Sequence, residues 1–288
     1  MKPLNLFLNE LLTVESGIST EKKIWYKENF NKKVIDYYET IKPGVVKRDL
    51  KTGKPILKKL TVKEYFSTLG VIHLFKPDDQ NSLKIMQYHS INALGFVGYQ
   101  FGEALLYDLG FYVPTKKKYN DTLFDSLYLG GLSDDIWSED VSIFPSNSES
   151  FGKIILATHI NLWEGSFKGI DGLNYFEDLK KPVIQDKIIL EAFSYNISVL
   201  KGLFKVSKGI DILDIFKENL KSDDLFSELF KLHGVGILSG VLAAMHLCGP
   251  YGFYDLYIKN KISFDEFSMS IVEYIEKFSN YDVFELYM

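Results

Sequence analysis

Glu15 is the residue best placed by spacing to act as an acid. Leu4, Phe7, Leu8, Leu11 and Leu12 recur three or four apart, the repeat of one helical face. Glu15 continues that face about three turns after Leu4, and Gly17 follows as a helix-ending residue. A carboxylate that prolongs an apolar stripe points inward, where loss of water favours the protonated form that a general acid needs. The alternative is that Glu15, at a fraying helix end, turns into solvent.

The second chemical element is the stretch Asn92 to Gly110, a glycine turn feeding a short helix. Gly95 and Gly98 flank Phe96 and Val97, and glycine is the default where backbone approaches another group closely or takes positive φ. From Phe101 the apolar Leu105, Leu106 and Leu109 follow at helical spacing until Gly110. Tyr99 and Gln100 therefore stand at a helix start. Glu103, on the next turn, is a second candidate acid, although an exposed acid favoured by the dipole at a helix N-terminus is the expected reading.

Three segments carry a resemblance. Gly98-Tyr99-Gln100-Phe101-Gly102-Glu103-Ala104-Leu105 resembles the turn of lysozyme-like glycosidases and lytic transglycosylases, with Val97 where a basic residue is usual. Trp163-Glu164-Gly165-Ser166-Phe167-Lys168-Gly169-Ile170-Asp171-Gly172 resembles a later loop of the same group, and Gln185-Asp186 follow as its Gln-acid pair. Ala243-Ala244-Met245-His246-Leu247-Cys248-Gly249-Pro250-Tyr251-Gly252 resembles the segment closing the cleft, with Cys248 and Tyr251 replacing smaller residues. Glu15-Ser16-Gly17 matches the element that carries the catalytic glutamate. The resemblance implies Glu15 as acid/base, with Tyr99, Gln100, Trp163 and His246 lining a cleft for β-1,4 glycan strands of peptidoglycan. In that family the glutamate and the Tyr-Gln turn are separated by a short loop, whereas here residues 18–87 intervene.

The elements that must position these residues read as mainly α. Helices are expected over Lys22–Ile41, from Thr61 to about Gly70 with a Thr61/Glu64 capping box, up to His89, over Ser150–His159, Val183–Phe204, Leu225–Leu232, Val235–Leu247 and Ser263–Phe278. The last shows Phe264, Phe267, Ile271, Ile275 and Phe278 on one face. A small β-hairpin is expected between Val45 and Leu60, turning at Thr52-Gly53-Lys54-Pro55. Loops are expected at Asp78–Asn81, Lys116–Asp121, Gly130-Gly131 and Pro145–Asn147. The domain reading is a lysozyme-like helical domain, 1–17 and 88–288, with a basic insertion at 18–87.

Charge sets that insertion apart. Glu21 to Lys63 holds 13 Lys/Arg against 5 Asp/Glu, a net of +8, while the whole chain is −5. Such a surface favours anionic partners such as cell-wall polymer, nucleic acid or a lipid surface; a merely solvated face is the plainer alternative. The peptidoglycan resemblance leaves nucleic acid unexpected.

With 288 residues, 46% hydrophobic and 25% charged, the chain can bury a sizeable core. Its 22 Phe and 18 Tyr suit a core and a sugar-stacking cleft equally. Cys248 is the one cysteine, so the fold needs no oxidising compartment. The first residues lack an uninterrupted apolar run and a small-residue cleavage site, so no signal peptide is expected. Action in the periplasm, cell wall or a target cell would then follow non-classical export. The uncharged run Gly234–Tyr254 is broken by His246, Pro250 and several glycines and reads as a buried helix, since a span needs roughly 20 predominantly apolar residues.

Other chemistries fit poorly. His73, His89, His159, His233 and His246 show no metal-ligand spacing, Gly234, Gly236 and Gly240 make no dinucleotide fingerprint, and Ser239 lacks a nucleophile elbow. No metal or cofactor is expected. Two functions remain: a peptidoglycan glycosidase (lytic transglycosylase or muramidase) using one glutamate, or a catalytically inactive interaction protein of a secretion or phage-tail apparatus on the same scaffold. With Glu103 expected to face outward, no second acid stands at the matched positions. Asp108, Asp121, Glu164 and Asp171 remain available, and 1,6-anhydro products are the expectation.

Overall fold

The computed structural model describes residues 1–42, 45–79, 81–119, 121–128, 140–143, 154–158, 163–206, 211–220, 223–265 and 269–288. The chain is mainly α with short strands. It divides into two compact units, Met1–Leu11 with Ile188–Met288, and Leu12–Lys187.

Helix α1 spans Leu4–Ser16 and stops at Gly17, whose φ of +68° an L side chain rarely adopts. Helix α2 (Lys23–Glu28) then ends at Asn29, and the chain turns into strands β1 (Lys33–Tyr38), β2 (Thr40–Lys42), β3 (Val45–Val46) and β4 (Leu57–Thr61). The expected helix over Lys22–Ile41 is thus corrected after its first turns. Lys-Val-Ile-Asp-Tyr-Tyr is β-branched and aromatic, and it pairs antiparallel with β4, Asp36 opposite Lys59 and Tyr38 opposite Leu57. The expected reversal at Thr52–Pro55 is present, with Arg48 bridged antiparallel to Pro55.

Thr61 caps α3 (Val62–Thr68) in a full capping box with Glu64, and α4 (Ser82–His89) follows. Ile18, Tyr26, Tyr37, Leu60, Phe66 and Met86 belong to one buried cluster, so residues 18–87 carry a core of their own. Helix α5 is shorter than expected, Glu103–Asp108, with Gly102 as its N-cap.

Strands β5 (Tyr112–Val113), β6 (Thr115–Tyr119), β7 (Thr122–Tyr128), β8 (Asp140–Ile143), β9 (Ile154–Thr158) and β10 (Ser166–Phe167) complete the β content. The expected Lys116–Asp121 loop is instead the hairpin β6–β7, with Asp121 at a φ of 62° in its turn. The expected Ser150–His159 helix is corrected at Ile154–Thr158, where the short apolar run pairs parallel with β7 and antiparallel with β8. The sheet order is β6-β7-β9-β8, and β5 pairs with β10. Gly130-Gly131, Pro145–Asn147, His159, Asn161 and Leu162 lie outside the described residues.

Four helices follow α6 (Pro182–Leu203): α7 (Ile212–Glu218), α8 (Leu225–His233), α9 (Ile237–Lys259) and α10 (Ile271–Phe278). The unit boundaries fall within α1 and α6. Helix α7 went unread in the sequence, although Asp211 caps it through the Leu213 N–H at 2.8 Å. Ser270 caps α10 in a second capping box, so that helix starts at Ile271 rather than Ser263; Phe264 is 61% exposed, and Phe267 lies outside the described residues.

In α9 every residue from Ile237 to Met245 is buried, and a left-handed Gly249 (φ +69°) before Pro250 breaks the helical dihedrals. Leu225–Lys259 has the length and composition to cross a membrane, with 56% of its most apolar window buried. Gly240 admits no side chain, since a Cβ there would lie 2.5 Å from the Ile275 carbonyl, which lets α10 lie close on α9. Phe7 packs its ring 5.7 Å from Phe193 and 5.6 Å from Tyr281 in the core of the same unit.

Thr61→Ala removes the side-chain half of the α3 capping box and is expected to lower unfolding free energy by about 1 kcal/mol. Urea unfolding measures it; an unchanged midpoint would show that α3 does not depend on this cap.

Candidate functional site

The Asn92–Gln100 turn is wound on its own polar groups. Asn92 Oδ1 accepts from the backbone N–H groups of Leu94 (2.9 Å) and Phe96 (3.0 Å), and its own N–H donates to Phe96 O at 2.9 Å. Gly95 and Gly98 take φ of 84° and 56°, and Gln100 takes 62°. At Gly98 the need is steric too, because a Cβ would meet Gln185 Oε1 at 2.0 Å.

Gln185, in the first turn of α6, is fully buried and fully used. Its Nε2 donates to Tyr88 O (2.7 Å) and Leu179 O (2.6 Å), and its Oε1 accepts from Tyr99 N–H at 3.4 Å. One position on, Asp186 accepts from the hydroxyls of Tyr88 (2.9 Å) and Tyr99 (3.1 Å). Tyr99 is 1% exposed; burial, then the charge of Asp186, raises its pKa, so it stays a protonated donor. The structure therefore places Tyr99 beneath the turn as its support.

Gln100 is half-buried and links two elements. Its Nε2 donates to the backbone carbonyl of Glu15 at 3.1 Å, and its Oε1 accepts from Asn92 Nδ2 at 2.7 Å. Glu15 is 6% exposed at the end of α1, so it is directed inward. Gly17 just beyond it accepts from Tyr65 Oη at 2.7 Å. Gln87, a residue the sequence reading passed over, donates to Thr13 Oγ1 (3.0 Å) and Ile18 O (2.6 Å), while its own Oε1 is buried with no partner among the described residues.

Glu103 corrects an expectation. It is 1% exposed, and its carboxylate accepts the backbone N–H of Trp163. Burial first, then the nearby Glu103 charge, raises the pKa of Tyr112. The helix N-terminus carries the acid as expected, but the 163–167 segment covers it. Trp163 Nε1 donates to Gly95 O at 3.2 Å, and Gly165 N–H to Tyr112 Oη at 2.6 Å. The Trp163 ring stacks on Phe167 at 6.0 Å and lies 5.1 Å from Phe176. Of the other acids weighed, Asp121 pairs with Lys118 at 2.7 Å and Asp171 with Lys187 at 2.5 Å.

Glu15, Tyr99, Gln100 and Trp163 thus belong to one unit, Leu12–Lys187, and His246 belongs to the other. His246 is half-buried on α9, its ring 6.3 Å from that of Phe193. A cavity of about 430 Å³ in that unit, between Phe204, Ile215, Asn219, Tyr254 and Tyr257, contains none of the predicted site residues. Among the described residues no three His, Cys, Asp or Glu side chains are grouped to hold a metal. Comparison with protein-family models, curated proteins and solved structures returns no match.

Gly98→Ala is expected to destabilise the chain by about 2–4 kcal/mol, combining positive φ with a clash against a buried amide. Denaturant unfolding reads this directly, and a loss below about 0.5 kcal/mol would show that the turn relaxes freely.

Proposed function

We propose that the chain is a lysozyme-like glycosidase that cleaves the β-1,4 bonds of peptidoglycan glycan strands, with Glu15 as acid and then base. The observation that carries this reading is the hydrogen bond from Gln100 Nε2 to the Glu15 carbonyl. It joins a helix-end glutamate to a glycine-turn glutamine 85 residues away. Glu15 is directed inward at the end of α1, in the same unit as the turn. Half-buried Trp163, Phe167 and Phe176 supply aromatic surface of the kind that takes the apolar faces of pyranose rings.

In the reaction, Glu15 gives its proton to the glycosidic oxygen as the bond to C1 breaks. Its carboxylate then takes the proton of the same sugar's 6-hydroxyl, whose oxygen bonds to C1 and closes a 1,6-anhydro ring. Hydrolysis would instead need a second carboxylate, about 5–5.5 Å away for retention or 6.5–9.5 Å for inversion. Glu103 is the buried acid nearest in sequence to the turn, but its carboxylate is engaged by Trp163 N–H and lies beside Tyr112. An intramolecular hydroxyl, held at high effective concentration, is the better nucleophile here.

Glu15→Gln keeps the side chain's shape and removes the transferable proton, so activity on purified sacculi should fall about 10²–10⁴-fold with the circular dichroism unchanged. A folded Glu15→Gln protein with wild-type activity ends the assignment. Digestion in heavy-oxygen water should leave the products unlabelled; label at the new reducing ends would mean that water is the acceptor.

A further inference from the structure

Leu50 is 97% exposed, more than any other large hydrophobic side chain among the described residues. An ordered turn holds it out. Asp49 Oδ1 accepts from Thr52 N–H (2.8 Å), Thr52 Oγ1 (2.9 Å) and Lys51 N–H (3.1 Å). These bonds, that from Thr52 N–H foremost, hold the Asp49 carboxyl below the usual carboxylate range. The Arg48 guanidinium donates to Gly53 O at 3.0 Å, Asp49 N–H to Lys54 O at 2.9 Å, and Gly53 closes the turn at a φ of +69°.

Behind the turn the chain is woven into a finger. Glu39 N–H donates to Ile56 O (2.8 Å), Ile56 N–H to Lys47 O (2.9 Å) and Lys47 N–H to Glu39 O (2.7 Å), while Thr40 pairs with Val46. The strands feeding the turn add two more exposed aliphatics, Ile41 (56%) and Leu57 (53%).

The charge on this finger is one-sided. From Glu39 to Leu57 there are five cations and two acids. Both acids are already engaged, Glu39 by Lys47 Nζ at 3.1 Å and Asp49 by its own turn. Exposed Lys51 and Lys54 form no ion pair among the described residues.

We propose that this finger docks on an anionic lipid bilayer, Leu50 entering the boundary between headgroups and acyl chains while Lys51 and Lys54 face the lipid phosphates. An anionic polysaccharide or nucleic acid would engage the cations but would give an aliphatic tip nothing to bury against. A bilayer rewards both: apolar burial at the tip, and attraction of each nearby cation to the negative leaflet. Either signal alone binds marginally, so the two are interdependent. The inference does not rest on the glycosidase reading, because none of these residues belongs to the Glu15–Gln100 site.

The test is co-sedimentation of the full chain with vesicles of equal parts phosphatidylcholine and phosphatidylglycerol, against vesicles of phosphatidylcholine alone. Binding is expected to the anionic vesicles only, and to weaken at high salt. Leu50→Ser should cut the partition coefficient about tenfold, and Lys51→Glu with Lys54→Glu at least as much. All three positions are exposed, and unchanged circular dichroism verifies the fold. Equal binding by wild type and Leu50→Ser overturns the proposal. So does retention on isolated sacculi that depends on Lys51 and Lys54 without vesicle binding, which would make the partner a polymer. Loss of glycan cleavage in Glu15→Gln with vesicle binding intact separates the two readings.

Discussion

The buried amide of Gln185 is the constraint on which the Leu12–Lys187 unit depends. A primary amide removed from water must find partners for its donors and its acceptor or lose much of the stability it displaces. Gln185 finds them on three different backbone segments, at Tyr88, Leu179 and Tyr99. All three partners are main-chain groups, so the amide fixes backbone position there. Gly98 is the consequence: the amide oxygen occupies the space a Cβ would need. Asp186 extends the same logic by one residue, turning two tyrosine hydroxyls into supports for the turn.

Val97, in the same turn, is fully buried and bridged to Ile91 and to Phe101. A cation there would lose its hydration, and such burial is expensive. Valine at this position follows from how this turn is packed.

Local chemistry was the legible part of the sequence. The Thr61/Glu64 capping box, the Gly17 stop and the inward stripe of α1 need only a few neighbouring residues, and they stand where the spacing puts them. What failed was pairing over distance. Tyr26, Phe30, Val34 and Tyr37 satisfy a helical repeat, but Lys33–Tyr38 is held by β4, whose paired residues lie 19 to 28 positions on, and no local pattern announces that partner. Ile154–Thr158 was misread for the same reason, since its neighbours β7 and β8 decide its state. Glu103 is the instructive failure at the site. A helix N-terminal acid is ordinarily solvated, and only the return of the chain at Trp163, sixty residues later, buries it. By contrast the inward direction of Glu15 follows from the local stripe of α1, and the Gln100 side chain reaches the Glu15 backbone carbonyl.

The long segment between those two residues raises the question of how Glu15 and Gln100 stay together. Closing a loop costs entropy that grows only with the logarithm of its length, so a segment of about seventy residues costs little to close if its ends are held. They are held here: Gln87 donates to Ile18 O at 2.6 Å, joining the first residue of the segment to its last. Gln87 also reaches Thr13, and Tyr65 Oη binds Gly17 O, so the C-terminal end of α1 is clasped from within the segment itself. The segment also carries a buried cluster of its own. The basic finger can therefore vary in charge and length without moving Glu15 relative to Gln100, because the joint at residues 18 and 87 bears the connection.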